Sequence, residues 1–384
     1  MNRLTTSQGT FELARFPEHP SDPFRAWDAA DEYLLRQLTD PGTGPVDLTG
    51  TVAVVGDRWG ALATALAAHR PVQISDSYLA RRATQANLER NGLDPEAVTL
   101  LASRDTPPDR IDVLLVRVPK SLAFLEDQLQ RIAPALHAGT VVIGTGMVKE
   151  IHTSTLKLFE RIVGPTRTSL AVRKARLIFS TPDLELPRTP SPWPYRYELP
   201  GDVGPASGRT TVNHAGIFCA ERLDVGTRFF LKHLPTRGGS VEVADLGCGN
   251  GVLGLSAALA NPDAHITFVD ESYGAVASAE ETFRLGAPEG AKADFLVGDG
   301  LSDIAPGTMD LVLNNPPFHS HMATTDATAR TMFVSARTAL RQGGELWVVG
   351  NRHLSYHTHL RRIFGNCTTV AGDAKFVVLR AVKR

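Results

Sequence analysis

The sequence predicts an α/β protein built as two tandem copies of one architecture, each a mainly parallel sheet with flanking helices, the second closed by an antiparallel C-terminal hairpin. Three observations predict it. Short apolar strand-like runs alternate with helical segments along most of the chain, as in βαβ units. One stretch of the second half lies in register over one of the first: Asp310-Leu-Val-Leu-Asn-Asn-Pro-Pro-Phe318 falls on Asp112-Val-Leu-Leu-Val-Arg-Val-Pro-Lys120 at a constant offset of 198 residues (310 less 112). Finally, 384 residues are too many for one typical core and suit two.

The elements follow in order. A Ser21-Asp22-Pro23 helix-start signal precedes Trp27, Ala30, Leu34 and Leu38 at helical spacing. Strand runs at 51–55, 72–75, 111–116 and 140–143 then alternate with helical runs at 62–69, 79–91 and 122–136. Prolines crowd residues 182–205 too densely for a regular core element, which predicts an extended connection. The second half repeats the pattern, with strands at 241–246, 266–269, 293–297, 309–314 and 345–349, helices at 253–259, 274–284 and 328–340, and a hairpin through 375–382. The expected domains are therefore 1–180 and 211–384, joined by a linker over 181–210.

Composition narrows the class. Hydrophobic content of 42% and charged content of 21% are those of an ordinary globular protein. The first twenty residues carry Glu12, Arg15 and Glu18 without an apolar core, and no later run matches a membrane span, so the expectation is a cytoplasmic protein with no membrane partner. Cys219, Cys248 and Cys367 are too few and too widely spaced for a disulfide framework or a cysteine zinc site, and no metal is expected. A net charge of −1 leaves any phosphate contact to local patches. Arg161, Arg167, Arg173, Lys174 and Arg176 form one such patch, with no acidic residue among them; a solvated basic face is the alternative.

Chemistry concentrates where strands of the second half end. Asn315-Pro316-Pro317-Phe318 follows the run 310–314. Two prolines remove two N–H donors and stiffen the loop, leaving backbone carbonyls beside the Asn315 amide oxygen. Such an acceptor-only cradle with an aromatic lid suits a planar group bearing an amino nitrogen; a plain stiff turn is the alternative. Upstream, Asp245 precedes the glycine turn Gly247, Cys248, Gly249, Asn250 and Gly251, whose glycines permit a tight turn and close approach of a ligand. Asp245 would repel a pyrophosphate but attract the ammonium end of S-adenosylmethionine. Asp270, followed by Glu271, closes the next strand and suits ribose hydroxyls, as it would in a dinucleotide enzyme. Asp299 and Gly300 end the following one, where Asp299 could receive an adenine amino group or simply make a turn.

The ordered succession of these strand ends predicts a class I methyltransferase fold, Rossmann-like, in both halves, with S-adenosyl-L-methionine as cofactor of the second. The first half keeps the fold but has Val54 for Asp245, Arg58 for Gly249, and Arg117-Val118-Pro119-Lys120 for the tetrapeptide, so it is read as an inactive copy that binds RNA or supports its partner.

Particular runs carry a closer likeness: Leu223-Asp-Val-Gly226, Phe268-Val-Asp-Glu-Ser272, Asn351-Arg-His-Leu354, Phe364-Gly-Asn-Cys-Thr-Thr369 and Lys375-Phe-Val-Val-Leu379, with Val118-Pro-Lys120, Ile151-His-Thr-Ser-Thr155 and Lys174-Ala-Arg-Leu-Ile178 in the first half. Over nearly its whole length the chain resembles the ribosomal RNA large subunit methyltransferase G family, related to the small-subunit methyltransferase C family. The Pro-Trp-Pro-Tyr stretch of the connection has no match in that pattern. The resemblance implies methylation of the exocyclic 2-amino group of a guanine in 23S ribosomal RNA, naked or in a pre-ribosomal particle; a monomer is expected. Asn315 and Pro316 would then hold the amino group, Pro317 stiffen the loop and Phe318 stack on an unstacked guanine. Arg173, Lys174 and Arg176 would contact RNA. Phe218 and Asp224 are placed to close over the cofactor, with core packing the alternative for Phe218; His319, His321 and His353 are rim residues, polar loop positions or proton acceptors. Other readings are a 16S RNA enzyme, a protein glutamine methyltransferase, which shares the cradle, an inactive RNA-binding or ribosome-assembly protein, and a nicotinamide dehydrogenase, which would leave the tetrapeptide idle.

Overall fold

The computed structural model describes residues 2–18, 24–40, 42, 44–317 and 322–384. The chain divides into two compact units, Met1–Pro192 and Trp193–Arg384. Each holds one seven-stranded sheet. In the second unit the spatial order is Lys292–Val297, His265–Asp270, Glu242–Leu246, Met309–Asn314, Leu340–Asn351, Phe376–Val382 and Thr368–Gly372. In the first it is Thr99–Ala102, Val72–Ser75, Val52–Val55, Ile111–Arg117, Leu136–Met147, Ala175–Ser180 and Thr166–Thr168. The two orders are the same, and in both the first five strands pair in parallel while the sixth runs antiparallel to its neighbours on either side.

The duplication extends to register. Val54 pairs with Leu115 in the first sheet and Asp245 with Leu313 in the second. Asp112 Oδ2 accepts from the Thr51 amide at 2.9 Å, and Asp310 Oδ2 from the Glu242 amide at 2.8 Å, so the same aspartate ties the same two strand starts together in each unit. An antiparallel end was expected only in the second unit. The first has one as well, because residues 161–176, conspicuous for their charge, run into the apolar strand Ala175–Ser180, where Leu177 and Ile178 are fully buried.

Two local differences follow from capping and burial. The first α-helix is Ala29–Gln37 and starts at Asp28, whose side chain accepts from the Ala30 amide while Asp31 caps back onto the Asp28 amide. Ser21, Asp22 and Pro23 lie outside the described residues. Within the proline-rich stretch the chain passes from one unit to the other at Pro192. Beyond it, Tyr195–Glu198 pairs antiparallel with Thr210–Asn213, and Leu199, Val203 and Ala206 are buried in the second unit's core. Among the described residues no helix is long and apolar enough to cross a membrane.

Candidate active site

In the second unit the central strand Glu242–Leu246 is flanked by His265–Asp270 and Met309–Asn314, and the sequence-singled residues sit at or just past the carboxyl ends of these strands. Asp245 is fully buried. Its Oδ2 accepts from the Gly254 amide at 2.8 Å in the first turns of helix Val252–Ala260, while its Oδ1 is buried without a partner. Burial pushes this carboxyl up to about 8; the Gly254 amide opposes the rise and Asp270 adds to it.

The glycine turn is built in two ways. A Cβ on Gly251 would lie 2.9 Å from the Ala279 Cα, so this glycine is required by packing against helix Tyr273–Gly286. A Cβ on Gly249 would meet nothing within 4 Å, so its surroundings are open. Asp270 Oδ2 accepts from the Gly249 amide at 3.1 Å and its Oδ1 from the Ser272 amide at 3.0 Å, tying turn to strand end. Glu271 beside it is exposed. Asp299 is half-buried, and its carboxyl is raised by burial and by Asp303; the adjoining Gly298 amide donates to the Asp270 carbonyl at 3.0 Å. Gly300 takes a left-handed φ of 57°. Burial raises the Cys248 thiol well above its ordinary value, as in a packed apolar residue. The Asn250 amide nitrogen is turned to the hairpin, donating to Asn213 Oδ1 at 2.9 Å and Tyr197 Oη at 3.4 Å.

Asn315 follows the strand Met309–Asn314. Its Nδ2 donates to Thr227 Oγ1 at 2.8 Å and to Asp224 Oδ2 at 3.4 Å, and its Oδ1 is buried without a partner. Pro316 is buried and Pro317 exposed. Asn314 is itself buried and donates from Nδ2 to the Leu246 carbonyl at 2.7 Å, locking the two strand ends together. Phe218 is 51% exposed, which takes it out of the core. His353 is exposed. Phe318, His319 and His321 lie outside the described residues.

The first unit treats the same positions differently. Gly60, the counterpart of Gly251, is kept because a Cβ there would lie 2.6 Å from the Thr84 Cα. At the position of Gly249 stands Arg58, and at that of Asn315 stands Arg117. Arg117 is fully buried and pairs with Asp28 at 2.6 Å, Glu150 at 3.2 Å and Asp31 at 3.3 Å, while Arg58 reaches Glu150 at 3.0 Å. The helix-start amide that Asp245 caps in the second unit, Gly254, corresponds to Ala63, which donates to Asp57 at 2.9 Å instead. The packing glycine is thus retained, while the positions of Gly249 and Asn315 carry arginines tied into an internal ion network.

Comparison with known proteins decides the family. The profile described as RLMG N-terminal domain matches residues 1–184, and that of the methyltransferase small domain matches residues 208–380. A protein of Streptomyces griseus named ribosomal RNA large subunit methyltransferase G is 88% identical over 384 residues, all of both chains. One of the same name from Stutzerimonas stutzeri is 47% identical over 99% of each. The chain belongs to the ribosomal RNA large subunit methyltransferase G family. Its fold is also that of the T. thermophilus 16S rRNA N2 G1207 methyltransferase solved with AdoMet and guanosine, at 21% identity and a TM-score of 0.76, covering 100% of this chain and 97% of that one.

Within this family member, sequence reasoning missed Thr227, Tyr197 and Asn213. Tyr197 and Asn213 flank a segment whose prolines hid its strand pairing. Thr227 had a visible signal: Asp224 three residues before it, the cap spacing of a helix start.

Proposed function

We propose that the second unit methylates the exocyclic 2-amino group of a guanine in 23S ribosomal RNA, using S-adenosyl-L-methionine. The observation that carries this reading is Asn315 Oδ1, a buried acceptor left without a partner, beside two prolines that contribute carbonyls and no N–H. An unpaired buried acceptor is costly, and a substrate amino group satisfies it.

The residues present also fit the cofactor. Asp245 Oδ1 is a second buried orphan and meets the ammonium end. Gly249 leaves space for close backbone approach, Asp270 stands at the strand end for the ribose and Asp299 at the next for the adenine. Cys248, Asn250, Glu271, Gly300 and Phe218 complete the proposed wall. When bound, S-adenosylmethionine supplies a methyl group on a positively charged sulfur. The protein's work is then orientation. Asn315 Oδ1 and the Pro316 carbonyl accept the two N–H bonds of the guanine amino group, which draws its lone pair out of the ring and aims it. Once the nitrogen carries the methyl it is acidic and releases its proton to solvent, so Asn315, Pro316 and Pro317 need no ionisable group among them.

The first unit acts as an inactive support that offers Arg173, Lys174 and Arg176 to RNA. The name of the curated relatives supports the large-subunit target. To test the reading, the protein is given methyl-labelled S-adenosylmethionine with deproteinised 23S RNA, 16S RNA, assembled subunits and a total protein fraction, and digested RNA is resolved into nucleosides. N2-methylguanosine from 23S RNA or the large subunit is expected. Label confined to protein, to 16S RNA or to another nucleoside would sink it.

A further inference from the structure

We infer that Thr227, backed by Asp224, is a positioning residue for the methyl transfer, fixing the orientation of the Asn315 amide. The inference rests on the proposed role of Asn315 and extends it to two residues that touch no reacting atom.

The direction of each hydrogen bond follows from the chemistry of its end. The Asp224 carboxylate can only accept. Its Oδ2 receives the Thr227 amide at 2.8 Å and lies 3.3 Å from Thr227 Oγ1, so the threonine hydroxyl donates its single proton there. Oγ1 is left with lone pairs only toward Asn315, 2.8 Å away. The Asn315 side chain must therefore present its NH2 to Thr227, and a planar amide that does so turns its carbonyl oxygen the opposite way. That oxygen is the buried, unpartnered one. Without the relay an amide could rotate by half a turn and offer NH2, a donor, to the substrate amino group, which is also a donor. The wrong orientation is repulsive as well as unproductive.

The first unit supplies an independent sign that this junction is a fixed part of the architecture. There the helix-cap residue Asp28 and the residue three beyond it, Asp31, grip Arg117, which stands where Asn315 does. Asp224 and Thr227 occupy the same cap and third positions of helix Val225–Leu231. Where the strand-end residue is a cation both partners are acids; where it is an amide whose oxygen must stay free, the inner partner is a hydroxyl.

Thr227→Val keeps the shape and removes the acceptor; Thr227→Ser restores it. Steady-state transfer to 23S RNA and calorimetric binding of S-adenosylmethionine are measured for both, beside Asn315→Ala. The expected result is a fall in kcat of about tenfold for Thr227→Val, the size of one lost orienting hydrogen bond, with cofactor Kd unchanged and kcat recovered in Thr227→Ser. A merely structural threonine would not give this split and rescue. Wild-type kcat in Thr227→Val, or a loss lying wholly in cofactor Kd, overturns the inference. If Asn315→Ala transfers normally, the role of Asn315 itself has failed; if Asn315→Ala is inactive and Thr227→Val is normal, only the positioning inference has.

Discussion

Single residues at this site are held in states that cost stability, and Asp245 shows the sign most plainly. Its carboxyl is fully buried, receives one hydrogen bond, and is pushed up to about 8 from an ordinary 3.8 by burial first, with the Gly254 amide opposing and Asp270 reinforcing. A folded value above the unfolded one means that the fold favours the protonated form. The contribution of Asp245 to stability is therefore full below pH about 4, declines as pH rises from about 4 to 8, and is level above that. Asp245→Asn removes the titration and should stabilise the second unit at pH 8 by ~5 kcal/mol, with the gain vanishing toward pH 4. Denaturant melts at the two pH values check this, and equal melts at pH 8 would contradict it. The same substitution removes the carboxyl that the cofactor's ammonium end would hold ionised, so it should weaken cofactor binding while strengthening the fold.

At the scale of elements, what was legible depended on whether a signal was local. The strand ends bearing Asp245, Asp270 and Asn315 were readable because apolar runs stop abruptly at polar groups and glycines. The Asn315–Thr227 contact joins residues 88 apart and had no local trace. Nor had the first unit's ion network: Arg58 and Arg117 read as lost ligand groups, whereas folding gathers Asp28, Asp31 and Glu150 around Arg117, and burial raises the Asp31 carboxyl despite that arginine. In the basic segment 161–176 several charges have partners that no local pattern showed. Arg161 is paired with Glu126, Arg173 with Glu32, and Arg167 stacks on Phe179. What remains is a two-residue hairpin turn in which Val172 and Ala175 exchange both backbone hydrogen bonds around Arg173 and Lys174, each with a left-handed φ, 48° and 63°. Asn-Gly suits such a turn far better, and two long cations there carry about 1–2 kcal/mol of backbone strain. Arg173→Asn with Lys174→Gly should therefore raise the stability of the first unit by ~1 kcal/mol while weakening RNA binding and flattening its salt dependence. A stabilised variant with an unchanged salt slope would remove this turn from the RNA surface.

The whole molecule is one fold used twice, with the same strand order, the same aspartate tie between strand starts and the same helix-cap grip on the strand-end residue. What separates the units is what stands at the corresponding strand ends. In the first, Arg117 is held by ion pairs to Asp28 and Glu150; in the second, Asp245 and Asn315 each keep a buried oxygen without a partner. In the proposed reaction Asn315 serves the methyl acceptor and not the cofactor. Asn315→Ala tests it directly, with S-adenosylmethionine binding followed by calorimetry and methyl transfer to 23S RNA followed on the same preparation. Cofactor Kd should stay within about twofold of wild type while transfer falls by at least about a hundredfold. Parallel losses in binding and transfer, or transfer that survives, would contradict it.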